Sequence, residues 1–120
     1  MTATNAPKTS SALGAKRCVP CEGGTTPLSK EEALALHAQL DPRWKLIDEG
    51  RKLVADFEFK NYFRTLAFVN AAAYIAISED HHPDITFGYK NARFEYSTHA
   101  IGGLSENDFI CAAKLDALAN

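Results

Sequence analysis

Three of the four histidines fall close together, His81 and His82 as neighbours and His99 a little further on. Imidazole is the side chain whose ordinary pKa lies nearest neutrality, so such a group suits acid–base catalysis, substrate binding or metal ligation. Adjacent residues such as His81 and His82 seldom aim at one ion. No close-spaced acid or cysteine completes a four-ligand set, so metal is the weaker reading. Glu79 and Asp80 precede the pair at what reads as a helix C-terminus. Carboxylates there oppose the macrodipole, by a few tenths to ~1 kcal/mol. Two explanations stand. Either the helix frays before Glu79 and both acids are solvated, or the acids keep a neighbouring imidazole protonated near neutral pH. His37 lies alone on an earlier helix and reads as a packing residue.

Cys18 and Cys21 form a Cys-Val-Pro-Cys pair. Three cysteines are an odd number and suggest no disulfide framework. The second half of a zinc site is missing, and the pair runs into Glu22-Gly23-Gly24-Thr25-Thr26-Pro27, a loop signature rather than the helix that follows a redox pair. A reduced loop pair is the simplest reading; an intersubunit metal site or a thiol switch stays open. Cys111 sits on an apolar helix face and reads as core. Gly102-Gly103 before a helix could hold an anion, but its simpler role is to allow a turn. No glycine-rich phosphate loop, Gly-x-Ser-x-Gly or His-Glu-x-x-His motif is present.

The elements that must position the histidines can be read in order. Ser29 and Glu32 form a capping box that opens a helix running to about Leu40, where Asp41-Pro42 stops it. Trp44 to Glu49 is a short strand and Glu49-Gly50-Arg51 a turn. Leu53, Ala55, Phe57 and Phe59 then alternate with Val54, Asp56, Glu58 and Lys60, a second strand paired as a hairpin. From Asn61 the period lengthens. Phe63, Leu66, Ala67, Asn70, Ala73, Tyr74 and Ile77 mark the stripe of a long helix expected to cover the sheet, and Pro83 forbids its continuation. Ile85, Phe87 and Tyr89 open a second hairpin that turns at Asn91. Ala92, Phe94, Tyr96 and Thr98 alternate along its second strand, which His99 ends. Ser105-Glu106-Asn107-Asp108 caps a last helix carrying Cys111, Ala112, Leu115 and Leu118. The reading is an α+β domain, α-β-β-α-β-β-α: a four-stranded antiparallel sheet with three helices on one face.

Length and composition agree with one compact domain: 120 residues, 46% hydrophobic and 23% charged. Order is expected from about Pro27, giving a domain over 27–120 and a flexible segment over 1–26. Residues 1–17 carry Lys8, Lys16 and Arg17 and no acid, so the remainder is acidic although the net charge is only −2. An acidic body argues against nucleic acid as a partner. No run approaches the roughly 18 apolar residues that span a bilayer, so no membrane partner is expected. A cytoplasmic location is expected, with an organellar transit role for the basic tail as the alternative.

Glu79-Asp80-His81-His82-Pro83-Asp84-Ile85, then Tyr89, then Ser97-Thr98-His99-Ala100-Ile101-Gly102-Gly103-Leu104-Ser105-Glu106-Asn107-Asp108, resembles the pterin-4a-carbinolamine dehydratase family. The family's acidic residue, His-His-Pro step, aromatic, Thr-His and Gly-Leu-Ser/Thr-x-x-Asp all occur in order, and the resemblance spans roughly Leu28 to Leu118. It implies an antiparallel sheet with three helices and a pterin pocket lined by His81, His82 and His99, without metal or other cofactor. The implied reaction is loss of water from 4a-hydroxytetrahydrobiopterin, or a bacterial equivalent, to give quinonoid dihydropterin. His82 is then the leading general acid, with His81 and His99 positioning the ring and assisting proton transfer. Glu79, Asp80, Pro83 and Asp108 are the implied substrate-binding set. The resemblance also implies a homodimer or homotetramer, and the unguarded Phe94-Glu95-Tyr96 stretch reads as an edge for pairing, with Ala71-Ala72-Ala73 as a close-packing helix surface. Asn107 departs from members that have Arg there. The alternative implied role is a binding module with a protein partner, either a transcriptional dimerisation cofactor or a RuBisCO assembly factor.

Overall fold

The computed structural model describes residues 9–20 and 26–119. Its elements are α1 (Thr9–Gly14), α2 (Lys30–His37), β1 (Lys45–Ile47), β2 (Lys52–Glu58), α3 (Tyr62–Glu79), β3 (Asp84–Phe87), β4 (Asn91–Tyr96), a 3₁₀ turn (His99–Ile101) and α4 (Glu106–Ala119). The four strands make one antiparallel sheet in the order β1-β2-β4-β3. The α+β reading therefore holds.

Local chemistry sets each boundary. The Ser29 hydroxyl accepts from the Glu32 amide at 3.1 Å, and the Glu32 carboxylate accepts from the Ser29 amide at 2.8 Å, which closes the capping box of α2. The β1–β2 turn puts three consecutive residues in the left-handed region, Asp48 at φ 52°, Glu49 at 56° and Gly50 at 81°. Glycine takes this conformation without strain, and the Arg51 guanidinium clamps Asp48 at 3.1 Å.

Alternation along β2 and β4 buries Leu53, Ala55, Phe57, Ala92, Phe94 and Tyr96 on one face, where α2, α3 and α4 contribute Ala33, Phe68, Ala72, Phe109 and Leu115 to the same core. Phe57, Phe68 and Phe94 pack ring to ring with centroids 4.8 to 5.6 Å apart. The opposite face carries ion pairs, Arg93 with Asp56 and Lys52 with Glu95. Trp44 is buried, and its indole N–H donates to Asp116 at 2.9 Å.

Four expectations need correction. The stripe chosen for α3 is largely its outer face: Phe63 is 83% exposed, Tyr74 70% and Ile77 78%, while Thr65, Phe68, Val69 and Ala72 are buried. This helix is apolar around most of its circumference, so periodicity offers two stripes of similar strength. Position is decided by Asn61, which caps the Arg64 amide, and by Thr65, whose hydroxyl lies within hydrogen-bonding distance of the Asn61 and Tyr89 carbonyls. Ala72 accordingly faces the core and not a neighbouring copy. Second, β4 is an inner strand, and the edges are β1 and β3. Third, β4 ends at Tyr96, so His99 opens the 3₁₀ turn instead of closing a strand; Asn91 begins β4, and the turn before it is closed by the Gly88 amide on the Asn91 carbonyl.

Fourth, order does not start at Pro27. Residues 9–20 form α1 and an extended strap, with Leu13 buried against the core. Lys114 donates to the Gly14 carbonyl at 2.7 Å and Lys16 pairs with Glu106 at 2.8 Å, which ties the segment to α4. A Cβ on Gly14 would lie 3.4 Å from the Ala113 backbone, in van der Waals contact, which shows how closely α1 packs on α4. Six residues are too few for a periodic signal. Residues 1–8 and 21–25 of the expected flexible segment, Cys21 among them, lie outside the described residues.

Leu13→Ala should cost about 2–5 kcal/mol of stability in urea unfolding, the range for truncating a buried leucine. A freely moving tail would leave the midpoint unchanged.

Candidate functional site

A cavity of about 430 Å³ opens where three segments meet: the strap at Cys18–Pro20, the end of α3 at Ser78–His82, and the loop Ser97–Ala100, with Asn107 of α4 beside them. All three histidines singled out from the sequence line it.

The end of α3 aims them. Asp80 caps the helix in the left-handed conformation at φ 52°, and the His81 amide returns to the Ala76 carbonyl at 3.1 Å. The helix thus runs through Glu79 without fraying. This reversal sends successive side chains to different surroundings: His81 goes inward with its side chain 12% exposed, while His82 is exposed. Pro83 is buried, does not line the cavity, and fixes the extended exit into β3.

His81 Nε2 lies 2.6 Å from Asp108 Oδ1. Asp108 is fully buried. Its other oxygen accepts from the Thr98 hydroxyl at 2.7 Å and from the Ser105 amide at 3.0 Å. With Thr98 donating to the carboxylate, the Ser105 hydroxyl donates to Thr98 at 2.8 Å. Every short contact around Asp108 therefore comes from a donor, and His81 Nε2 completes the set as N–H. Asp108 also occupies the first turn of α4, where the helix dipole favours its charge. Burial works against a charged His81 ring, but the hydrogen bond and the charge of Asp108 outweigh it and hold the His81 pKa above its ordinary value. The ring lies parallel to Tyr96, with planes 6° apart. The Tyr96 hydroxyl is buried without a hydrogen-bond partner among the described residues.

His82 and His99 are exposed and their rings make no hydrogen bond among the described residues, which leaves their ring nitrogens available to a bound molecule. Asp80 is exposed on the rim. Glu79 lines the cavity, yet its carboxylate is engaged: Oε1 accepts from the Cys18 amide at 2.8 Å, and Oε2 pairs with Arg17 at 3.0 Å and Lys114 at 3.8 Å. Burial favours its neutral form, but the Cys18 amide and the two cations prevail and lower its pKa. Glu79 is thus the anchor of the strap, and Asp108 acts from behind His81 without reaching the cavity wall. Among the described residues, no group of three or more His, Cys, Asp or Glu is placed to hold a metal ion.

Sequence reasoning missed Cys18 and Asn107 as wall residues. Asn107 Oδ1 accepts from the Val19 amide at 3.1 Å, and its Nδ2 donates to the Val19 carbonyl. Where some members of the resembled family have Arg, this chain uses Asn to hold its strap. The partners lie 88 residues apart, a separation that leaves no local signature.

The model of the family described as pterin 4 alpha carbinolamine dehydratase matches residues 26–118. A relative from Nitrosomonas eutropha, provisionally named a pterin-4-alpha-carbinolamine dehydratase, is 58% identical over 106 residues, covering 88% of this chain and 92% of its own. A Legionella pneumophila relative with the same provisional name is 46% identical over 106 residues, covering 88% and 94%. A transcriptional coactivator/pterin dehydratase from Brucella melitensis superposes with a TM-score of 0.75 at 28% identity, over 79% of this chain and all of that one. A pterin dehydratase-like protein identified as a RuBisCO assembly factor in the alpha-carboxysome gives 0.57 at 28% identity, over 64% of this chain and 89% of its own.

The raised pKa of His81 has a measurable sign. The protonated pair stabilises the fold below the unfolded value of about 6.5, and that contribution is lost as pH rises through the higher folded value. In a histidine NMR titration, His81 should have its midpoint above about 6.5, and Asp108→Asn should bring it down. An unmoved midpoint would show that Asp108 does not hold the proton.

Proposed function

This chain belongs to the pterin 4 alpha carbinolamine dehydratase family, and we propose that it is a working dehydratase, removing water from a 4a-hydroxytetrahydropterin to give quinonoid dihydropterin. The observation that carries this reading is the single cavity shared by His81, His82 and His99, one ring fixed by a buried carboxylate and two open to a ligand.

The reaction breaks the C4a–O bond and removes one proton from a ring nitrogen. Hydroxide leaves poorly, so the 4a-hydroxyl must gain a proton as the bond breaks. The ring nitrogen supplies the electron pair and its proton must find a base. His82, exposed with unengaged nitrogens, donates to the departing oxygen. His99, carried into the cavity by the 3₁₀ turn, accepts the ring-nitrogen proton. His81 is held in place by Asp108 and Tyr96, so it orients the pterin and keeps positive charge beside the leaving oxygen. A placed acid or base of this kind typically contributes ~10²–10⁴-fold. The cavity is within the size range of small-molecule sites. The substrate is a pterin, and no further cofactor is invoked.

A second reading has its own observation. The outer face of α3 exposes Phe63, Tyr74 and Ile77 along one line of the helix, and exposed apolar patches of this kind mark interaction surfaces. One structural neighbour is described as a transcriptional coactivator/pterin dehydratase and another as a RuBisCO assembly factor, so a protein-binding role is the alternative to catalysis. The same face and the unpaired edges of β1 and β3 support self-association, as a homodimer at minimum and a homotetramer by preference.

His82→Ala should slow dehydration of freshly generated 4a-hydroxytetrahydropterin by at least ~10²-fold with the fold intact. His37→Ala should leave turnover near wild type, because its ring bonds the Trp44 carbonyl away from the cavity. Equal turnover in both variants would remove the acid–base account. Light scattering at micromolar concentration should give an oligomer, and Tyr74→Asp with Ile77→Asp should lower its mass. A monomer in both proteins would assign the apolar face to another partner.

A further inference from the structure

Cys18 and Cys111 come from opposite ends of the chain, 93 residues apart, and their sulfurs face each other at 3.6 Å. Neither is used in the reaction above. Cys18 lines the cavity and is partly exposed; Cys111 is fully buried in α4, with its sulfur 3.9 Å from the His81 carbonyl oxygen. We propose that the two form an oxidisable dithiol, a modification site at which a peroxide entering the cavity closes a disulfide between the strap and α4.

A disulfide needs about 2.05 Å between sulfurs, so the pair must close by roughly 1.5 Å. Cys111 is packed within α4, whereas Cys18 sits on an extended strap and can supply the movement. Exposure assigns the order of events. Only Cys18 meets small molecules in the cavity, so its thiolate attacks one peroxide oxygen, the O–O bond breaks, and hydroxide leaves to become water. This forms a sulfenic acid on Cys18. The Cys111 sulfur then attacks the Cys18 sulfur, the S–O bond breaks, and a second water departs with the Cys111 proton. Two thiols are oxidised and one peroxide is reduced to two waters.

The surroundings favour that division of labour. The hydrogen bond from Cys111 lowers the pKa of Cys18 against the effect of burial, and the neighbouring His81 charge lowers it further. The same hydrogen bond and burial push Cys111 up. The attacking sulfur is therefore the accessible one, and the buried one waits as a thiol. Once formed, the bond fixes Cys18, Val19 and Pro20, one wall of the cavity, to the helix that carries Asp108.

The test uses full-length protein, reduced, then treated with equimolar hydrogen peroxide, alkylated and mapped by peptide mass spectrometry. It requires no turnover, so its outcome is independent of the dehydratase reading. A peptide linking Cys18 to Cys111 should appear in wild type and in Cys21→Ser, and be absent from Cys18→Ser and Cys111→Ala. If the buried Cys111→Ala fails to fold, Cys18→Ser decides alone. Oxidised Cys21→Ser should melt at least about 5 °C above its reduced form and return with dithiothreitol, as expected for a bond closing so long a loop. Linkage of Cys18 to Cys21, over-oxidation of Cys18 with Cys111 freely alkylated, or an unchanged melting point would overturn the proposal. So would stoichiometric zinc in Cys21→Ser whose removal frees both thiols.

Discussion

A buried charge must be met by donors, and Asp108 is where this protein meets that demand. Its three donors come from three parts of the fold: His81 beyond α3, Thr98 after β4, and Ser105 at the start of α4, where the helix dipole adds its support. Removing a donor would strand a desolvated carboxylate, at about 1–3 kcal/mol or more. The positions of α3, β4 and α4 around the cavity are therefore fixed by one side chain as well as by the apolar core. The same carboxylate sets the protonation of His81, so the requirement for folding and the requirement for acid–base chemistry fall on one group.

Glu79 plays the corresponding part for the outer wall. A carboxylate at a helix C-terminus is unfavourable by itself, and here the cost is offset by Arg17, Lys114 and the Cys18 amide. The sequence shows the discomfort but not its relief, because the compensating groups lie far from it along the chain. This is why Glu79 reads as a site residue when the last turn is considered alone. Its carboxylate in fact holds the strap that walls the site.

Legibility follows the range of the interaction. The capping box of α2, the alternation along β2 and β4 and the His-His-Pro step are local, and they locate the sheet and the cavity's histidines. The face of α3 is not local, because the helix offers apolar residues around most of its circumference and Thr65 finds its second carbonyl only in the β3–β4 turn. The strand order was equally hidden: two hairpins can join through either neighbour, and the β2–β4 register, such as Leu53 opposite Tyr96, brings the last strand inside. The strap was missed for the same reason, since Leu13 finds its pocket only when α4 is present.

That last dependence reaches into synthesis. A chain emerging amino end first has α1 and the strap in hand long before Glu106–Ala119 exists, so residues 9–20 must wait for α4, more than eighty residues later. Long-range closures of this kind are the slow and late events of folding. The sheet and α3 can assemble on the ribosome, but Asp108, Asn107 and Lys114 arrive only with the final helix. A nascent or clipped chain lacking α4 would carry the histidines and still have no closed cavity to hold them, so possession of the site reports that α4 has been made and docked.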